Sequence, residues 1–197
     1  MKHTFLALLI TVAFVSSLSA DPSIDLLAKV KAKYGKCKSY SCNGYYSVAT
    51  ADRAFKSEMT FNIRFKRPLL LRVDWFETSP GSSPPVPCSL YVKDGAYYGV
   101  PSYRRKPEKF ANLESGMCAY AGISNGATYF IPSFLLGKNG YFNDYTCNLA
   151  EDEKVNGHNC HTIVIVDKRT GTWQLSIDKA NLAILRSKQK ETITAEE

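Results

Sequence analysis

The sequence predicts an α+β fold: one strongly curved antiparallel sheet, an unclosed β-barrel, with an N-terminal helix and a helical lid. Three observations carry that expectation. Apolar and polar residues alternate with a period of two over long stretches, as in residues 57–66. Tyr and Phe are abundant, 12 and 10 among 197 residues, which suits strands. Short turns such as Asp94-Gly95 and Asn156-Gly157 join the runs. Antiparallel runs on short turns exclude a parallel α/β sheet, whose strands need helical crossovers. The length suits one domain, and a hydrophobic content of 45% is too high for a disordered chain.

The first twenty residues read as an export signal. Met1-Lys2-His3 is a short basic start, residues 5–15 are apolar apart from Thr11, and residues 16–20 are mostly small. The apolar core falls short of the roughly 18 residues that a membrane anchor needs. Cleavage after Ser19 leaves Ser17 three positions back, and cleavage after Ala20 leaves Leu18 there. Residues 21–197 then form a single exported domain.

That domain opens with a helix over 24–36, capped by Ser23 and ended by Gly35, with Ile24, Leu27, Val30 and Tyr34 on one face. A Tyr-rich strand follows over 39–50. In the next strand, 57–66, Met59, Phe61, Ile63 and Phe65 alternate with polar residues. Pro68 interrupts, and 69–76 resumes with Leu69, Leu71, Val73 and Trp75 on one side. Residues 78–87 are a Pro/Ser/Gly-rich loop. Residues 90–100 form a hairpin about Asp94-Gly95. Helical spacing returns at 107–121 (Phe110, Leu113, Met117, Ala121) and at 129–136, with Pro132 in the first turn. Strands over 142–149, 158–166, 172–178 and 182–188 complete the chain, with further turns at Thr170-Gly171 and 179–181. This makes about nine strands in two meanders, whose concave apolar face the helices at 107–121 and 129–136 would cover.

Six cysteines, an even number, suit an oxidising compartment. Cys147 and Cys160 flank the Asn156-Gly157 turn, so a cross-strand disulfide between them is expected; a Cys37–Cys42 pair would need a tight turn and stays open. His158, Cys160 and His161 stand close in sequence. The two histidines, however, would point to opposite faces of a strand, and no second cluster has zinc-like spacing, so no metal is expected.

Catalytic signatures are missing from the letters. There is no H-E-x-x-H, no C-x-x-C and no phosphate-cradling glycine loop. The letters G-x-S-x-G occur at Gly122–Gly126, but between two helical segments rather than between a strand and a helix. An enzyme is not expected, and neither is a cofactor. The net charge is +7, with small basic clusters at Arg104-Arg105-Lys106 and at Arg64, Lys66 and Arg67. Export argues against nucleic acid, and these charges read as a solvated basic face.

Three segments, in order along the chain, resemble the LolA/LolB-like superfamily of periplasmic lipoprotein carriers. The helix leading into the Tyr-Ser strand spans Tyr34 to Ser47. The strand-end element is Phe65-Lys66-Arg67-Pro68-Leu69-Leu70-Leu71-Arg72. The Val92-Lys93-Asp94-Gly95-Ala96-Tyr97-Tyr98 hairpin is followed later by Ile131-Pro132-Ser133-Phe134-Leu135-Leu136-Gly137. The 173–186 hairpin has the same look. The resemblance implies an unclosed barrel that carries acyl chains of a lipoprotein or lipid through the periplasm under a helical lid. It implies a monomer with transient membrane-protein donors or acceptors. At the matching positions, Arg67 would hold the lid by hydrogen bonds to its backbone, and Leu71 stands where the carriers have an aromatic residue governing retention. The six cysteines and the residues around Met117-Cys118 depart from the carrier pattern.

Ten apolar residues are expected to line the cavity: Phe61, Ile63, Phe65, Leu69, Leu71, Val73, Trp75, Trp173, Leu175 and Ile177. Acyl chains gain about 0.8 kcal/mol per buried methylene, so such a wall needs no reactive group. The competing expectation from the same scaffold is a non-catalytic envelope sensor or adaptor that binds a protein partner.

Overall fold

A computed structural model describes residues 21–49, 56–77, 88–100, 106–121, 129–138, 144–168 and 171–190. The expected leader, the 78–87 loop, the Arg104-Arg105 pair, the 122–126 glycine-serine motif and the start of the Thr170-Gly171 turn lie outside the described residues.

Helix α1, Pro22–Lys36, begins two residues before the expected start because Asp21, not Ser23, caps it. The Asp21 carboxylate accepts from the Ser23 amide at 2.8 Å, satisfying one of the four unpaired N–H groups of a helix start. Ser23 turns inward and donates to the Cys147 carbonyl at 2.7 Å. Ile24, expected on the inner face, is 51% exposed, while Leu27, Val30 and Tyr34 are buried.

Strands β1 (Ser39–Ala49), β2 (Lys56–Lys66), β3 (Leu70–Glu77), β4 (Cys88–Lys93), β5 (Ala96–Val100) and β6 (Glu108–Phe110) form one antiparallel sheet in sequence order. Strands β7 (Tyr145–Val155), β8 (His158–Asp167), β9 (Gly171–Asp178) and β10 (Ile184–Lys190) form a second antiparallel sheet, also in sequence order. The fold is α+β with unclosed sheets, as the alternation predicts, but the meanders make two sheets and ten described strands rather than one sheet of nine. Both dipeptide turns form as read. Asp94 and Gly95 have φ 50° and 74°, and Asn156 and Gly157 have φ 51° and 84°, the pair of positive values a two-residue hairpin requires.

The predicted helix over 107–121 is half correct. Residues 108–110 extend instead, because β5 offers a free edge and Tyr97 pairs with Phe110. Asn112 then starts helix α2, Leu113–Ala121, its side chain accepting from the Ser115 amide at 2.8 Å. Gly116 lets α2 lie close on the sheet, since a Cβ there would sit 2.7 Å from the Leu90 side chain.

The expected Cys147–Cys160 disulfide does not form. The tight turn pairs Val155 with His158, and the register that follows puts Cys160 opposite Glu153 and Cys147 opposite Ile165. The two thiols therefore sit several residues apart along the hairpin, beyond disulfide reach. Both are free and buried, and Cys37 and Cys42 are free as well.

Short helix α3, Phe130–Leu135, joins the sheets. Phe130 meets Trp173 of β9 edge to face at 4.9 Å, and Phe134 lies 6.4 Å from Tyr34 of α1. One continuous apolar cluster runs from β2–β4 through α1, α2 and α3 to β8 and β9. Gly137, φ 68°, closes α3; the amides of Gly137 and Lys138 donate to the carbonyls of Phe134 and Ser133 at 3.1 and 2.8 Å. Since Phe130 is fully buried at this junction, Phe130→Ala is expected to destabilise the fold by about 3 kcal/mol, read as a lower urea midpoint with an unchanged m-value.

Candidate functional site

The expected wall residues lie on one face because the register keeps them there. Phe65 pairs with Leu71, Ile63 with Val73 and Phe61 with Trp75 across β2 and β3; Ile163 pairs with Leu175 and Ile165 with Trp173 across β8 and β9. Ile63, Phe65, Leu71, Val73, Trp75, Trp173, Leu175 and Ile177 are all buried, while Phe61 and Leu69 are half-buried against the same cluster. Phe61 lies across Gly44 of β1, where even a Cβ would stand 1.9 Å from its ring. The side chains of α1 and α3 pack directly onto this face, so its occupant in this structure is the protein's own helices.

Arg67, just past the end of β2, ties those helices to the sheet. Its Nε donates to the Cys37 carbonyl at 3.0 Å, and its Nη2 donates to the carbonyls of Gly35 and, at 3.1 Å, Leu135. The last carbonyls of a helix have no partner within it and carry the negative end of its dipole. One guanidinium thus serves the C-terminal ends of α1 and α3 together. The family resemblance placed Arg67 on the backbone of the lid, expected as the helices over 107–121 and 129–136. It reaches the second of these at Leu135, and its bonds to the α1 end at Gly35 and Cys37 were not foreseen, because the fold of the 35–37 corner is not written in local spacing.

Beside this clasp buried Tyr34 meets half-buried Tyr40 and Cys42. The Tyr34 hydroxyl accepts from the Ile184 amide at 3.0 Å, and its ring meets Tyr40 at 5.5 Å. Burial pushes the Tyr40 phenol far above its ordinary value, with Tyr34 adding to it, and burial likewise raises Tyr34 and the Cys42 thiol. These groups are neutral near pH 7. On the far side of α1, burial lowers the Lys31 amine, whose Nζ lies 5.7 Å from the Phe134 ring and 5.5 Å from Tyr145. The two histidines are held apart, His158 by Asp178 at 3.1 Å and His161 by Asp152 at 3.2 Å.

The opposite face of the larger sheet differs in kind. Arg64, Arg72 and Tyr91 stand in one cross-strand row, with Lys66 and Leu70 in the next. Together with Ser39, Ser41 and Lys93, and with the intervening Tyr40, Phe65, Leu71 and Val92 of the same strands, they line an open groove of about 700 Å³. Beneath it Asp74 is 3% exposed and accepts from Arg64 Nη2 at 2.8 Å, from Arg72 Nε at 2.8 Å and from Ser89. Burial opposes ionisation of Asp74, and the bonds from Arg72, Ser89 and Arg64 outweigh it, so the carboxyl sits below its ordinary value. No reading of the sequence assembled this groove. The Arg64–Lys66 pair was its visible trace, but the partners come from β3 and β4.

No protein-family model matches the chain. No curated protein matches it as a relative. Among solved structures it is similar to a LolA superfamily protein from Nitrosomonas europaea, at 12% identity and TM-score 0.34, covering 85% of this chain and 71% of that one. It is similar to an outer membrane lipoprotein-sorting protein domain from Vibrio parahaemolyticus, at 10% identity and TM-score 0.38, with coverage of 85% and 71%. It is also similar to MucB, at 12% identity and TM-score 0.46, covering 84% of this chain and 51% of that one.

A depressed carboxyl pKa stabilises the fold above the unfolded value near 4, and the stabilisation is lost as pH falls through the folded value. Asp74→Asn is therefore expected to lower stability by about 2 kcal/mol at pH 7. It should also flatten the acid limb of a Tm-against-pH profile below pH ~4.

Proposed function

We propose that the chain is an exported, non-catalytic carrier that holds acyl chains of a lipid or lipoprotein against the shared apolar face of its two sheets, beneath α1 and α3. The observation that carries this reading is the Arg67 clasp, in which a single side chain binds the carbonyl ends of both covering helices. Few hydrogen bonds from a partly solvated guanidinium are a weak latch, and a weak latch suits a cover that must open. When α3 lifts, Phe130, Phe134 and Leu135 leave the wall, and an acyl chain can take their place at about 0.8 kcal/mol per methylene. The wall residues Ile63, Phe65, Leu71, Val73, Trp75, Trp173, Leu175 and Ile177 would contact the chain, with Phe61 and Leu69 at its margins. Leu71, directly across from Phe65, would set how firmly the chain is retained.

The carrier would act as a monomer between membrane donors and acceptors and needs no cofactor. Among the described residues no helix is long and apolar enough to cross a membrane.

The packing itself favours a second reading. With the wall occupied by helix side chains, the scaffold would serve as an envelope sensor or adaptor that binds a protein partner.

Native mass spectrometry of protein purified without detergent separates the two. A bound acyl lipid supports the carrier, and protein with no adduct that also fails to take up an added fatty acid sinks it. In the loaded protein, Arg67→Leu is expected to release a fluorescent fatty acid about tenfold faster, equivalent to roughly 1.4 kcal/mol of lost latch, with unchanged circular dichroism. Unchanged release would remove Arg67 from the lid.

A further inference from the structure

The groove on β1–β4 is framed by the side chains that alternate with the apolar wall, and it shares with that wall only the intervening residues Phe65 and Leu71. Among the described residues its lining carries four cations, Arg64, Lys66, Arg72 and Lys93, and no carboxylate. The acid beneath it, Asp74, is already matched by three donors. Asp74 uses Nη2 of Arg64 and Nε of Arg72, and Arg72 Nη2 also reaches Ser89 Oγ at 3.4 Å, so among the described bonds further N–H donors of each five-donor guanidinium remain for an oxygen-rich anion. Among the described residues Lys66 and Lys93 have no acidic partner. A buried carboxylate gripping two arginines fixes their heads in place before any ligand arrives.

We propose that this groove docks the protein onto anionic phospholipid headgroups at a membrane surface. Leu70 selects that partner over an acidic polypeptide. It lines the same groove among the lysines, yet is 56% exposed, an apolar side chain held out to solvent inside a ring of cations. Beside it Tyr91 stacks on Tyr98 with ring centroids 5.6 Å apart. Cations for phosphate, tyrosines at headgroup level and an aliphatic tip for the acyl boundary are the elements of interfacial binding. An acidic peptide would leave Leu70 unused. The proposal stands apart from the carrier reading, since docking would serve an adaptor equally well.

The test is flotation of the full chain with vesicles of phosphatidylcholine, with and without added phosphatidylglycerol. Binding is expected only with phosphatidylglycerol and should weaken as salt rises. Each basic side chain near an anionic surface changes partition about fivefold, so Lys66→Gln with Lys93→Gln should reduce binding about 25-fold. Lys154→Gln with Lys188→Gln removes the same charge from exposed positions of the other sheet and should leave binding near that of the parent. Leu70→Ser should weaken it while circular dichroism stays unchanged. The proposal is overturned if both double variants lose binding equally, if phosphatidylglycerol makes no difference, or if Leu70→Ser binds as well as the parent. It is equally overturned if the chain binds an acidic peptide through Lys66 and Lys93 and ignores the vesicles.

Discussion

Two open antiparallel sheets each present an apolar face, and neither face survives in water until something covers it. That constraint organises the whole molecule. The cover is the pair α1 and α3, and its keystone is the contact of Phe130 with Trp173, which joins the short helix to the smaller sheet. Tyr34 and Phe134 continue the same aromatic layer towards the larger sheet. These helices and α2 belong to the one core that both sheets share. A six-residue helix is too short to be stable alone, so α3 exists because tertiary packing holds it. Dependence on packing rather than on its own hydrogen bonds also makes it the element easiest to displace. The Ser133 hydroxyl, fully buried in α3 with no hydrogen-bond partner among the described residues, weakens the closed arrangement further.

Strand content, both hairpin turns and the phase of the wall were legible in the sequence. A period of two is a local property: Ile63, Phe65, Leu71 and Val73 had to share a face once their segments were strands. The misread parts were those that neighbours decide. Residues 108–110 carry a helical spacing in Phe110 and Leu113, but β5 had an unfilled edge, and edge pairing outweighed propensity. The Cys147–Cys160 expectation took account of the turn and neglected the register, which places the thiols at different rungs of one hairpin. The helix cap moved from Ser23 to Asp21 because the Cys147 carbonyl drew the serine hydroxyl inward, a partner 124 positions away. Arg67 was recognisable through the motif around it, whereas its hold on Gly35 and Cys37 required knowing where α1 ends.

The neighbours Arg64 and Arg67 show how one basic cluster divides into two tasks. Arg64 lies within β2, so the pleat sends it to the solvent face, where Asp74 and Arg72 meet it. Arg67 lies just past the strand end, where the alternation no longer dictates direction, and the chain brings it to the helix termini. Phe65 and Lys66 between them belong to opposite faces, one packed beneath the helices and the other open to solvent. A one-residue slip of β2 against β3 would exchange the two, burying Lys66 in an apolar layer and exposing Phe65. The cost of a buried unpaired ammonium makes that slip prohibitive. The same alternation that fixes the apolar wall therefore also fixes the cationic groove behind it, and neither face can be redesigned without regard to the other.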